Sequence, residues 1–165
     1  MTHAFRMVDA QAQANETSDM PAGADHSSVS DLLQLMGAKA GDLGQAGRVP
    51  VSLRRLHTGD TLFHEGSPAD AIYFVPAGTC KTCRTAEDGY EQVLGFSSRA
   101  EVLGFDAVCM ECHPTSAVAL EESSVYVMLL RDLFALAQSI PALDRVVHIA
   151  VSSALTRRGE LADLM

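Results

Sequence analysis

No apolar run in the 165-residue sequence approaches the roughly 18 residues that a helix needs to cross a bilayer. The opening Met1-Thr2-His3-Ala4-Phe5-Arg6 does not begin a secretory apolar stretch. Both absences point to a cytoplasmic protein with no membrane partner. Basic charge is scarce: 12 Lys and Arg face 21 Asp and Glu, for a formal net charge of −9. The local basic clusters, Arg54-Arg55 and Arg157-Arg158, are too small to neutralise a row of phosphates, so the chain alone is not expected to grip DNA. Catalytic signatures are missing too. Glu87-Asp88 falls in a turn, Glu121-Glu122 beside a strand end, and no serine has an activating partner in sight, so no enzyme is expected. A stand-alone small-molecule-binding β-barrel of cupin type is the rival from another class. It would need convergent His and Glu ligands, and no HxH pattern supplies them.

Residues 1–27 are rich in Ala, Gln, Asn, Ser and Met without a sustained apolar period, and are expected to form a disordered tail. Residues 28–48 read as a short helical lead-in. There Ser30-Asp31 precedes Leu32, Leu33, Leu35 and Met36 on one helical face, with Gly37 placed as a left-handed cap.

From Val49 the punctuation changes. Thr58-Gly59-Asp60, Glu65-Gly66-Ser67-Pro68, Pro76-Ala77-Gly78 and Glu87-Asp88-Gly89 divide the chain at intervals of roughly 8 to 12 residues. Segments 61–64, 71–75, 79–85, 91–96, 116–120 and 124–130 between them carry the β-branched and aromatic residues of half-buried strands. Short strands with regular turns predict a sandwich or barrel over 49–138.

The period then becomes helical. Leu133, Phe134 and Ala137 lead to Pro141, suited to a first helical turn, and then Leu143, Val147, Ala150, Ala154, Leu161 and Leu164 recur at threes and fours. Small residues at 150 and 154 would admit a partner helix closely, so 139–165 is read as a dimerisation helix with this seam. No stop signal follows Leu164 and Met165, so the chain is expected to end in mid-architecture. Arg157 and Arg158 interrupt the seam. Either one of them approaches its own symmetry mate in a parallel homodimer, or both reach solvent or Glu160.

The run Leu56-His57-Thr58-Gly59-Asp60-Thr61-Leu62-Phe63-His64-Glu65-Gly66, followed by Ala71-Ile72-Tyr73-Phe74-Val75-Pro76-Ala77-Gly78-Thr79, resembles the opening of a cyclic-nucleotide-binding-type β-roll. The likeness continues through Asp88 to Phe96, Val102-Leu103-Gly104-Phe105-Asp106-Ala107 and His113-Pro114-Thr115-Ser116-Ala117 to the long helix. As a set these motifs are similar to the sensor domain of catabolite-activator/fumarate-nitrate-regulator proteins. The resemblance implies a mainly β fold with α: a double-stranded β-helix, or jelly roll, followed by a long C-terminal dimerisation helix. It also implies a homodimer, an effector of unknown identity, and a helix-turn-helix domain that this chain lacks; the alternative within the same resemblance is a natural truncated regulator that acts by heterodimerising with full-length regulators. DNA and RNA polymerase would then be partners only of a full-length form, with the 85–91 hairpin as one surface for the polymerase.

The resemblance places the effector pocket at Gly104, Phe105, Asp106, Thr115 and Ser116. Family members that bind cyclic AMP carry Gly-Glu for the ribose and Arg-Ser or Arg-Thr for the phosphate, because a buried phosphate needs a fixed cation. Gly104-Phe105 and Thr115-Ser116 stand there instead, so cyclic AMP is not the expected ligand. The pattern looks more like the oxygen- and redox-sensing branch.

All four cysteines fall in two CxxC pairs, Cys80-Lys81-Thr82-Cys83 and Cys109-Met110-Glu111-Cys112. Three readings stay open. Two pairs can complete a zinc site or hold an iron-sulfur cluster; they can act as redox dithiols; or they can be core packing. Against convergence, residues i and i+3 of a strand point to opposite faces. The family's cluster-bearing members place most ligand cysteines ahead of the roll, where this sequence has none. Cys109 to His113 also spells the CxxCH of covalent haem attachment, but no export signal accompanies it. Non-covalent haem on His113 or His64 is a minor alternative. His57, His64 and His148 otherwise read as hydrogen-bonded structural residues.

Overall fold

A computed structural model describes residues 27–163. Residues 1–26 of the expected tail, and Leu164 of the expected seam, lie outside the described residues. Helix α1 (Val29–Leu35) follows a two-residue strand β1 (Ser27–Ser28) and starts two residues earlier than its leucines suggest. Ser28 is the N-cap, and its hydroxyl and backbone are tied to Asp31 in a capping box. Val29, Leu32 and Leu33 are buried beneath it.

Eight further strands form the roll: β2 (Pro50–Leu56), β3 (Thr61–Phe63), β4 (Ala71–Ala77), β5 (Cys80–Thr85), β6 (Glu91–Ser97), β7 (Val102–Leu103), β8 (Ser116–Ala119) and β9 (Ser123–Leu129). One antiparallel sheet has the order β1-β2-β9-β4-β7 and the other β3-β8-β5-β6. Strand β2 escapes a reading by alternation. It opens on Pro50, tolerable at a strand's first residue, and carries two arginines. Arg54 has a local task, donating to the Leu62 carbonyl at 3.2 Å and so bridging β2 to β3.

Strand β4 shows why its sequence is continuously apolar. Alternate residues face two different cores: Ala71, Tyr73 and Val75 pack between the sheets with Leu56, Leu62, Phe63 and Val125, while Ile72 and Phe74 pack under the helices with Leu32, Leu33 and Leu133. A sheet covered on both faces needs apolar residues at both parities. Gly78 turns the chain after β4 at φ +94°, where an added Cβ would lie 2.0 Å from the Ser123 hydroxyl.

Helix α2 (Leu130–Ala137) and the 23-residue helix α3 (Pro141–Asp163) complete the fold, with Pro141 as the first residue of α3. This is a jelly-roll of mostly antiparallel sheets with a C-terminal helix. No helix among the described residues is long and apolar enough to cross a membrane.

The seam expected on α3 needs a correction. Leu143, Val147 and Ala150 are buried in this chain's own helix-side core beside Ile72 and Leu133, and Ala154 packs against the same cluster. A stripe already covered by its own roll is not free for a partner. Among the described residues, the exposed large apolar side chains of α3 are Ile149, Val151 and Leu155, the last 64% exposed. Leu161 lies within α3, but its side chain is outside the described set.

Candidate ligand-binding site

A cavity of about 730 Å³ is lined by residues of both the roll and α3. One wall is the short turn after β7, where Gly104, Phe105 and Asp106 line it; Thr115, just before β8, adds to it. The opposite wall is α3, with Ile149, Ala150, Ser153, Ala154 and Arg157. Strands β5 and β6 close the side with Thr82, Arg84, Gln92 and Leu94. The volume suits a small organic ligand.

Gly104 is fixed by its backbone. It sits at φ +96° and caps a 3-10 turn over Phe105–Ala107. A Cβ there would lie 3.2 Å from the Ala71 carbonyl of β4, so glycine lets the turn press onto the sheet. Phe105 is 6% exposed and belongs to the helix-side core. Thr115 Oγ1 donates to Asp106 Oδ2 at 3.0 Å, closing residues 106–115 into a loop across its base. An acid therefore occupies the region where cyclic-AMP binders need a cation.

Four of the five residues anticipated for the pocket thus meet at the cavity. Ser116 is not among its lining residues; its hydroxyl accepts from the Glu65 N–H at 2.8 Å and ties β8 to the turn after β3. The β5 and β6 contribution, above all Arg84 and Gln92, is missing from the sequence reading. The available signal was strand alternation, since Cys80 points into the roll and Thr82 and Arg84 share its parity. Arg157 was also misassigned. It forms an ion pair with Glu101, in the loop between β6 and β7, and not with Glu160.

The four thiols do not assemble. Cys80 is fully buried in the roll's inner core, whereas Cys83 lies on the outer face beside Lys81 and Glu91. Cys109 and Cys112 are exposed in the 106–115 loop. Among the described residues no three His, Cys, Asp or Glu side chains are grouped to hold a metal, and the chain has no other cysteine. Burial pushes the Cys80 thiol up, and burial followed by the Glu91 carboxylate does the same to Cys83. A four-thiolate zinc or iron-sulfur site therefore does not fit this chain.

His113 is 2% exposed and stacks on Phe63 with ring centroids 3.9 Å apart. Its Nδ1 has no hydrogen-bond partner among the described residues. Burial holds its pKa below the usual 6.5, opposed by the nearby Asp106 and Asp70 carboxylates. Through Phe63, a cavity-lining ring, it connects the cysteine-bearing loop to the pocket wall. His57 pairs with Glu122, and His148 with Asp144 and its carbonyl, both in exposed positions.

Residues 53–139 match the family model described as cyclic nucleotide-binding domain. Among curated proteins, the chain is 38% identical over 92 residues to the transcriptional activator protein Anr of Pseudomonas protegens, covering 56% of this chain and 38% of that protein. It is 34% identical over 84 residues to the fumarate and nitrate reduction regulatory protein of Salmonella typhimurium, covering 51% and 34% respectively. The chain thus spans well under half the length of these relatives. Among solved structures, the Thermus thermophilus catabolite activator protein superposes with a TM-score of 0.59 at 26% identity, over 69% of this chain and 52% of that one. With the jelly roll, the Gly104 turn and the roll–helix cavity in hand, the chain belongs to the cyclic nucleotide-binding domain family, and within it is similar to regulators of the catabolite-activator/fumarate-nitrate-regulator group.

Proposed function

We propose that this chain is the effector-sensing and dimerisation domain of a DNA-binding transcription regulator, working in the cytoplasm. The observation that carries the reading is that one cavity has walls from both the roll and α3. A molecule bound there touches both bodies at once, so its binding energy depends on how α3 sits against the roll. The exposed Val151 and Leu155 of α3 supply the apolar strip for a second copy, which extends the signal to a dimer. DNA and RNA polymerase are then partners of the full-length regulator, with the exposed 85–91 hairpin available to the polymerase.

The effector is not a cyclic nucleotide in this reading. Phe105 cannot accept from ribose hydroxyls, and the Asp106 carboxylate on Thr115 repels a phosphate. Redox responsiveness rests on a separate feature. Cys109 and Cys112 are the accessible pair, in the loop whose ends Asp106 and Thr115 join at the cavity wall. Exchange with a disulfide-bearing oxidant would join them: the Cys109–Cys112 S–S bond forms, the oxidant's S–S bond breaks, and the two thiol protons pass to the oxidant, which leaves as two thiols.

The test fuses the chain to a DNA-binding domain that represses a reporter only as a dimer. The wild-type fusion represses. Leu155→Asp abolishes repression, and Ala154→Phe, which fills the cavity from the helix side, changes its level. Repression equal to wild type in both variants refutes the reading.

A further inference from the structure

We infer that the cavity takes a small organic carboxylate, its apolar body against the helix and its charged end held at Arg84, Thr82 and Gln92. This rests on the cavity being the effector site and adds the ligand's chemical class. Arg84 is a cation with a neutral partner: its Nε donates to Gln92 Oε1 at 2.9 Å, and no carboxylate pairs with it among the described residues. Thr82 shares its strand parity and adds a hydroxyl to the same wall. A guanidinium whose fork is occupied on one edge only can grip a carboxylate through its terminal nitrogens.

The other charges in the cavity orient such a ligand. Arg157 and Glu101 neutralise each other at the mouth. Asp106 places negative charge on the turn and β8 wall. An anionic group is therefore attracted to the β5–β6 wall, where the Arg84 guanidinium stands. Between them Leu94, Val102, Phe105, Ile149 and Ala150 offer apolar surface with few polar groups. One negative charge on an apolar body matches this layout.

Calorimetric titration of the whole chain with octanoate, octan-1-ol and octylammonium tests the assignment. Octanoate is expected to bind one per chain and to outbind the alcohol and the amine. Arg84→Gln should weaken octanoate at least about tenfold, the usual scale of a lost charge-assisted hydrogen bond, while Arg84→Lys retains part of the affinity. Ala154→Phe should abolish it, with circular dichroism showing that each variant is folded. Octan-1-ol binding as tightly as octanoate and lost in Ala154→Phe overturns the carboxylate assignment while leaving the cavity as a ligand site. Octanoate binding unaffected by Arg84→Gln or by Ala154→Phe overturns it as well, as does binding of none of the three, in which case the effector site is judged by the reporter alone.

Discussion

Arg157, far along α3, is ion-paired with Glu101 in the loop before β7, fastening the end of the long helix to the rim of the roll cavity. The two residues lie 56 positions apart in the chain. Glu101 is itself held, accepting from the Ser98 N–H at 2.6 Å. As a partly exposed pair it should contribute only about 0–1 kcal/mol to global stability. Its effect is local. Arg157→Ala and Glu101→Gln should each speed amide exchange in the last turns of α3 by a similar amount, and the double variant should add nothing. Additive effects would show that the two side chains act separately.

The two faces of α3 give opposite outcomes. Leu143 is fully buried, so Leu143→Ala should cost about 2–5 kcal/mol in urea unfolding. Leu155 is 64% exposed, and Leu155→Ala should stay within about 0.5 kcal/mol while weakening self-association in sedimentation equilibrium. A dimer that survives Leu155→Ala and Leu155→Asp unchanged would place the partner elsewhere.

The apolar period of α3 was legible in the sequence, but not which way it faced. Leu143, Val147, Ala150 and Ala154 have the spacing of a helix seam whether they meet a second chain or their own roll. Strand β4 and the glycine turns were readable because a doubly covered strand and a positive φ leave strong marks in composition. Strand β2 was not, since it opens on Pro50 and Arg54 is spent on a local hydrogen bond to β3. Gly104, Phe105, Asp106 and Thr115 came from resemblance, whereas Arg84 and Gln92 reach the cavity only through sheet register. Cys80 and Cys83 diverge as strand alternation requires, because β5 keeps an unbroken register with β8.

Thiol accessibility follows the same geometry. Native protein should react with iodoacetamide at Cys109 and Cys112 and not at Cys80 or Cys83, which become reactive only on unfolding. Mass spectrometry of native and denatured samples separates the pairs. Labelling of Cys80 in the native protein would show that the roll interior opens.

His113 predicts a pH dependence. Its native pKa lies below 6.5 chiefly through burial, so the unfolded chain takes up a proton that the native one refuses. Its contribution to stability is therefore complete above 6.5, declines as pH falls towards the lowered native value, and levels off below it. The stability difference between wild type and His113→Phe, measured between about pH 5 and 8, should be flat above 6.5 and tilt against the wild type below. A difference constant across the range contradicts a buried neutral imidazole.

Gly104→Ala puts a side chain at φ +96° and 3.2 Å from the Ala71 carbonyl. It should cost about 1–3 kcal/mol in urea unfolding. A silent Gly104→Ala would mean that the turn does not need to press on β4.

Hydrogen exchange of the wild-type chain with and without bound octanoate reaches the central claim most directly, because it reads the roll and the helix in one sample. The account predicts that protection rises together in β5–β6 and in α3 around residues 149–157. Protection confined to the roll, with α3 unchanged at saturating octanoate, would contradict a cavity that couples ligand to helix.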